Sequence, residues 1–248
     1  MKRAIAKIKT WKIFNIGPLK KIKDKIYHSY ISKRMESKTD LYRKEILDIV
    51  YDIFKNKKWR LQSGSFLRFY RDKTMEGQDL DIFIYVDDFM SNFEKLIESD
   101  FYIIQEMYNR DNKITEYKML YKNVEVDFCL VYKDEGGYFE QFTLEGLEES
   151  RLSKKVSKNA VTITGENYNT YKKYFPDFDA KEYEFENFKF YGPKNAEKYL
   201  ESAYGKGWKV YDPTFDPRIH PENNLPKEIT SYAKSIRFIR PIKNIKDL

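Results

Sequence analysis

The chain has 248 residues, of which 41% are hydrophobic and 17% aromatic, including 21 Tyr and 18 Phe. That is enough apolar surface for a packed interior of one sizeable domain, or a core with appendages, and excludes a chain disordered throughout. The formal charge of +7 points to phosphorylated or anionic partners. A single cysteine, Cys129, excludes an internal disulfide and a cysteine-cluster metal site and fits a reducing, cytoplasmic setting, while two histidines, His28 and His220, argue against a histidine-rich zinc site.

In chain order, residues 1–39 read as a basic amphipathic arm. Lys2, Arg3, Lys7, Lys9, Lys12, Lys20, Lys21, Lys23, Lys25, Lys33 and Arg34 are opposed up to that point only by Asp24. Apolar residues such as Ile5, Ile8, Trp11, Phe14 and Leu19 are interleaved with the lysines. No stretch is long and apolar enough for a signal peptide or a membrane span, so two readings stand: peripheral contact with an anionic membrane surface, or a solvated arm packing a few apolar residues on the core.

Residues 40–132 read as the catalytic core. Asp40 caps a helix in which Ile46, Leu47, Ile49, Val50, Ile53 and Phe54 recur at helical spacing. Trp59 to Gln62 is a predicted strand broken by Ser63-Gly64-Ser65, and Phe66 to Arg71 one or two helical turns. Asp79 to Val86 is a predicted central strand, ended by Asp87-Asp88, which cap a helix over Phe89 to Ile97. Phe101 to Met107, Thr115 to Tyr121 and Val124 to Tyr132 are predicted strands, the last two joined by a tight turn at Lys122-Asn123.

Residues 133–248 are expected to pack on that core and complete the substrate site. Tyr138 to Lys189 mixes short strands and helices in no clear order. Pro193 and Asn195 to Tyr204 predict a helix stopped by Gly205. The proline-rich basic tail is expected on the surface. The order of elements predicts an α+β fold, with a mixed β-sheet flanked by helices.

Asp79 and Asp81 are two apart on a strand, so both project from one face, roughly 6.5 Å apart along the chain. Leu80, Ile82, Ile84 and Val86 take the opposite, core-facing side. In the Val124–Leu130 strand the apolar residues share one face and Asp127 shares the other with Glu125. If the two strands neighbour each other, Asp79, Asp81 and Asp127 converge. A few carboxylate oxygens completed by water and substrate phosphate suit Mg²⁺, or Mn²⁺ in its place, and such ions serve phosphate transfer. Gly64 and Ser65 open a helix whose backbone N–H groups favour a phosphate, with Arg68, Arg71 and Lys73 adding positive charge. Each piece alone also occurs in solvated edges and ordinary turns; the ordered set is the specific signal. The glycine and distal glutamate of an EF-hand are missing.

The segment Gly64-Ser65-Phe66-Leu67-Arg68-Phe69-Tyr70-Arg71-Asp72-Lys73, followed by Gln78-Asp79-Leu80-Asp81-Ile82, resembles the LicD and fukutin-type phosphotransferases. So does a later stretch: Phe185 to Phe190, Pro193, Tyr199-Leu200, Tyr204-Gly205 and Trp208. Met75-Glu76-Gly77-Gln78 stands where the family often has a Pro-Trp pair, and Arg68 where a small residue is usual. The resemblance implies a nucleotidyltransferase-like core and transfer of a phospho-alcohol (phosphocholine, phosphoribitol or phosphoglycerol) from a CDP-activated alcohol donor to a hydroxyl of a glycan or lipid-linked glycan, releasing CMP. It further implies Asp79 and Asp81 as the metal pair, Gly64 and Ser65 as the phosphate loop, Arg71 as a basic donor contact, and Asp127 as a third ligand or the general base.

Two alternatives stand beside it. One is a nucleotidyltransferase proper, moving a nucleoside monophosphate from an NTP and releasing pyrophosphate. The other is nucleic-acid binding without catalysis, which is disfavoured because it leaves the aspartates unexplained. For Tyr199, Leu200, Tyr204 and Trp208 core packing is favoured over a substrate platform, and His220 reads as a surface-loop residue.

Overall fold

The computed structural model describes residues 41–75, 79–145, 152–165, 168–175, 178–212, 215, 229–230 and 233–243. The basic arm, the Asp40 cap, Glu76 to Gln78, His28 and His220 lie outside them. Residues Tyr42–Leu248 form one compact unit. Among the described residues no helix is long and apolar enough to cross a membrane.

The fold is α+β, built on a mixed sheet. Helix α1 (41–53) buries Ile46, Leu47 and Val50 completely, with Phe54 just beyond it. These positions, spaced three or four apart, make one apolar stripe. Strand β1 (Trp59–Leu61) pairs antiparallel with β2 (Asp79–Tyr85), and β2 lies parallel to β5 (Val124–Asp134). A parallel pair needs a long crossover. Here helices α3 (Val86–Met90) and α4 (Phe93–Glu98) and strands β3 (Phe101–Tyr108) and β4 (Ile114–Tyr121) fill it. Ile82 and Ile84 of β2 and Val124, Val126 and Phe128 of β5 are wholly buried on the core side, which leaves the aspartates on the other.

The expected single helix over Phe89–Ile97 is two. Asp87 and Asp88 lie in the first turn of α3 and do not cap it; Tyr85 holds the cap position. The break comes at Ser91-Asn92, where the Asn92 amide donates to the Asp88 carbonyl at 3.0 Å. A side chain that takes a carbonyl four residues back competes with the helix's own bonding. Asp88 instead accepts from Lys58 N at 2.9 Å, tying the start of β1 to α3.

Downstream of residue 133 the expectation of mixed strands and helices gives way to strands among the described residues. These are β6 (Gly137–Glu145), β7 (Leu152–Val156), β8 (Ala160–Gly165), β9 (Tyr168–Phe175), β10 (Ala180–Phe185) and β11 (Phe188–Pro193). Strands β6 and β9 extend the main sheet beyond β5, whereas β10 and β11 form a separate hairpin. Pro193 ends β11, and helix α5 (Ala196–Tyr204) starts at Asn195, whose side chain accepts from Lys198 N at 3.2 Å. Gly205, at φ 79°, ends it in a backbone conformation that favours glycine.

The described part of the tail joins the main sheet, with Phe238 buried and Ile239 exposed, while most of its proline-rich stretch lies outside the described residues. After β12 (Ile229–Thr230), strand β13 (Ala233–Ile242) is inserted between β3 and β8. Pro241 is tolerated because β8 pairs only as far as Phe238 and the register with β3 breaks between Arg237 and Ile242.

Candidate metal centre

Helix α2 (Ser63–Leu67), continued by a π-helical turn (Arg68–Asp72), lies against the start of β2. Its first turn contains the Ser63-Gly64-Ser65 segment expected to break the chain. Ser63 enters at φ 52°, and its N–H donates to the Tyr199 hydroxyl at 2.8 Å, so α5 holds the entry to α2.

On the parallel pair β2–β5, Asp81 stands in register with Asp127 and Asp79 with Glu125. One carboxylate oxygen from each of Asp79, Asp81 and Asp127 lies within 4.8 Å of the others. Asp127 and Glu125, on the same face of β5, differ in burial: Asp127 is only 8% exposed, whereas Glu125 faces solvent. Ser65 is buried against Asp81. Its N–H and its hydroxyl approach Asp81 Oδ2 at 3.3 and 3.1 Å, and its oxygen accepts from Asp81 N at 2.9 Å. Ser65 therefore fixes the carboxylate and does not offer its backbone N–H to a phosphate.

Asp127 Oδ2 accepts from Lys118 Nζ at 2.7 Å, while its Oδ1 is buried with no hydrogen-bond partner. A buried carboxylate oxygen without a donor is costly unless a cation meets it. Three carboxylates with one such oxygen suit a hard divalent cation. Electrostatics agree. Burial, then the charges of Asp79 and Asp127, push the Asp81 carboxyl up to about 6 against the bonds from Ser65. Burial also raises Asp127, opposed by Lys118. Burial and the Asp127 charge raise Glu116, on β4, to about 7.

Of the other expected residues, Gly64, Arg68 and Arg71 line a cleft of about 530 Å³, together with Tyr204, Trp208 and Tyr211. Arg68 Nη2 donates to the Asp79 carbonyl at 3.3 Å and lies 3.9 Å from its carboxylate, linking cleft to triad. A Cβ on Gly64 would meet Arg68 Nη1 at 3.0 Å, so glycine leaves the guanidinium room. Arg71 is paired in two bonds with Asp72, at 2.7 and 2.9 Å, and donates to the Trp208 carbonyl at 3.3 Å. Lys73 is not brought to the site. Its ammonium donates to the Tyr70 carbonyl at 3.0 Å and it lines neither the cleft nor the triad.

Leu200 and Trp208 are buried in the core, as packing predicts, but Trp208 and Tyr204 also form cleft wall. Lys118 and Glu116 were missed, although a signal exists. A two-residue turn at Lys122-Asn123 pairs Tyr121 with Val124, and counting back along both strands pairs Lys118 with Asp127.

The raised carboxyls make a pH prediction. Asp81 and Glu116 keep protons in the folded protein at pH values where the unfolded chain, with ordinary values of 3.8 and 4.5, has lost them. Stability therefore falls as pH rises from about 4, where the unfolded carboxyls lose their protons, to about 7, and levels off above. Thermal melts in chelator should show a lower Tm at pH 7.5 than at pH 5, and saturating Mg²⁺ should reverse the order. A Tm that rises over this range in chelator contradicts the electrostatic picture.

No protein-family model matches the sequence, and comparison with curated proteins gives no match. Among solved structures, the chain is similar to the Megavirus polyadenylate synthase at 16% identity and a TM-score of 0.31, over 46% of this chain and 26% of the synthase. A likeness that low carries no weight for function, and the triad stands on its own geometry.

Proposed function

We propose that the chain is a metal-dependent transferase of nucleotidyltransferase type, which moves a phosphate-linked group from a nucleotide donor to a hydroxyl. One observation carries this reading: Asp79, Asp81 and Asp127 bring oxygens within 4.8 Å of one another, next to Arg68, which approaches Asp79 at 3.9 Å and lines the adjoining cleft. Mg²⁺ held by these carboxylates would neutralise charge on the transferring phosphate and activate the attacking hydroxyl. Asp127, with Oδ2 bonded to Lys118 and Oδ1 unpaired, suits the role of ligand better than that of general base. Arg68, which lines the cleft and approaches Asp79, would stabilise the charge of a donor phosphate bound there. Arg71, engaged by Asp72, braces the cleft wall.

The finer reading is a CDP-activated alcohol as donor, a glycan hydroxyl as acceptor and CMP as product. It is supported by the two segments that resemble LicD and fukutin-type enzymes, which pack against each other although far apart in sequence. Phe66 meets Tyr199 at a ring distance of 6.0 Å, Phe69 meets Phe190 at 4.6 Å, and Tyr70 meets Trp208 at 5.8 Å. The test is calorimetry in Mg²⁺ with CDP-choline, CDP-ribitol, CDP-glycerol and the four NTPs, followed by product analysis with the donor that binds. One CDP-alcohol should bind and yield CMP. Pyrophosphate from an NTP would replace the finer reading with nucleotidyl transfer, and binding of no nucleotide would remove the proposal altogether.

A further inference from the structure

Across the sheet, Lys118 of β4, Asp127 of β5 and Asp81 of β2 stand in one register row. The lysine is thus the next side chain beyond the metal-binding pair, on the same face. Its ammonium sits 2.7 Å from Asp127 Oδ2 and 3.9 Å from Glu125, and the Lys118 side chain is only 20% exposed. Among the described residues, the centre's negative charge is otherwise met by a cation only at its far end, where Arg68 approaches Asp79 at 3.9 Å. Like charges this close repel strongly where water is partly excluded. A fixed cation beside them lowers that repulsion and, by the same Coulomb term, opposes a second cation.

We infer that Lys118 is a built-in counter-cation of the centre, holding its affinity for a divalent ion low until donor phosphate supplies further oxygens. Resting on the metal reading of the triad, this makes Lys118 a positioning residue whose charge, rather than its packing, is its contribution. The ion would then enter with the nucleotide and not reside permanently in the protein.

The experiment is calorimetric titration of the full chain with MnCl₂ alone. Lys118→Gln, which keeps a hydrogen-bond donor for Asp127 but loses the charge, should bind Mn²⁺ about tenfold more tightly than the unaltered protein. Lys118→Arg, which keeps the charge, should stay within about threefold. In chelator the Gln variant should melt below the unaltered protein, with the deficit shrinking in saturating Mn²⁺. Unchanged or weaker Mn²⁺ binding by the Gln variant, or a deficit equal in chelator and in Mn²⁺, overturns the proposal. If Lys118→Gln does not fold, Lys118→Met reads the same two quantities. Asp127→Asn separates the failures. If it weakens Mn²⁺ binding while the Lys118 variants change nothing, only the counter-cation fails; if it also changes nothing, the metal reading fails with it.

Discussion

Asp81→Asn should lower turnover on the order of a thousandfold while the protein still folds. The substitution is isosteric, and its amide oxygen can still accept from Ser65 N and Oγ, which now approach Asp81 Oδ2 at 3.3 and 3.1 Å. What disappears is an anionic oxygen within 4.8 Å of those of Asp79 and Asp127. Charge stabilisation by a correctly held ion is worth several kcal/mol in the transition state, and about 4 kcal/mol is a thousandfold in rate. Stability should not fall, because the charged form of Asp81 is already disfavoured: burial and its two acidic neighbours push it up to about 6. Steady-state kinetics with the donor found by calorimetry, beside a thermal melt in chelator, check both halves. Turnover within tenfold of the unaltered protein would remove Asp81 from the chemistry, and a collapsed melt would make it structural.

Phe66→Ala is expected to cost about 3–5 kcal/mol of stability. The ring is wholly buried on α2 and meets Phe69 at 6.1 Å, Tyr70 at 5.7 Å, Tyr183 at 5.4 Å and Tyr199 at 6.0 Å. It lies directly over Gly192, where any Cβ would run into it, so hairpin and helix cannot close the gap without moving backbone. The loss should reach the site as well. Ser65, next in sequence, fixes Asp81, so a loosened α2 weakens divalent binding in addition to lowering the chemical-denaturation midpoint. A cost under about 1 kcal/mol would mean that the β10–β11 hairpin does not lean on α2 as described.

The convergence of the three aspartates was legible in the sequence for a physical reason, whereas much of the strand order around them was not. Asp79 and Asp81 announce themselves because strand alternation separates them from Leu80 and Ile82, a pattern local to a few residues. Asp127 is one step further. It needs β5 to neighbour β2, which the hydrophobic alternation of Val124, Val126 and Phe128 suggests but does not dictate. Gly64, Arg68 and Arg71 share the cleft because one turn of helix after Gly64 returns to the same side, whereas Lys73 follows the turn's end at φ 52° and is carried away.

Other features depend on partners distant in sequence. Nothing near Ala233 to Ile242 states that this strand enters the sheet between β3 and β8, because the pairing is made with residues more than fifty positions away. The strands β6 to β9 were obscured for a related reason: a run of Tyr, Lys and Thr such as Tyr168 to Lys173 has strand-forming residues without clean alternation. The split between α3 and α4 turned on one side chain, Asn92, choosing the carbonyl of Asp88. In α5, by contrast, the capping Asn195 and the stopping Gly205 are both local and both visible in the sequence.

On the proposed function, Asp79, Asp81 and Asp127 together hold a divalent cation. Anomalous difference density from a crystal of the protein grown with Mn²⁺ and its nucleotide donor tests it most directly. A peak should lie at bonding distance from carboxylate oxygens of all three residues and from a donor phosphate oxygen. A map with Mn²⁺ elsewhere, or with nucleotide in the cleft and no peak among the three aspartates, would contradict it.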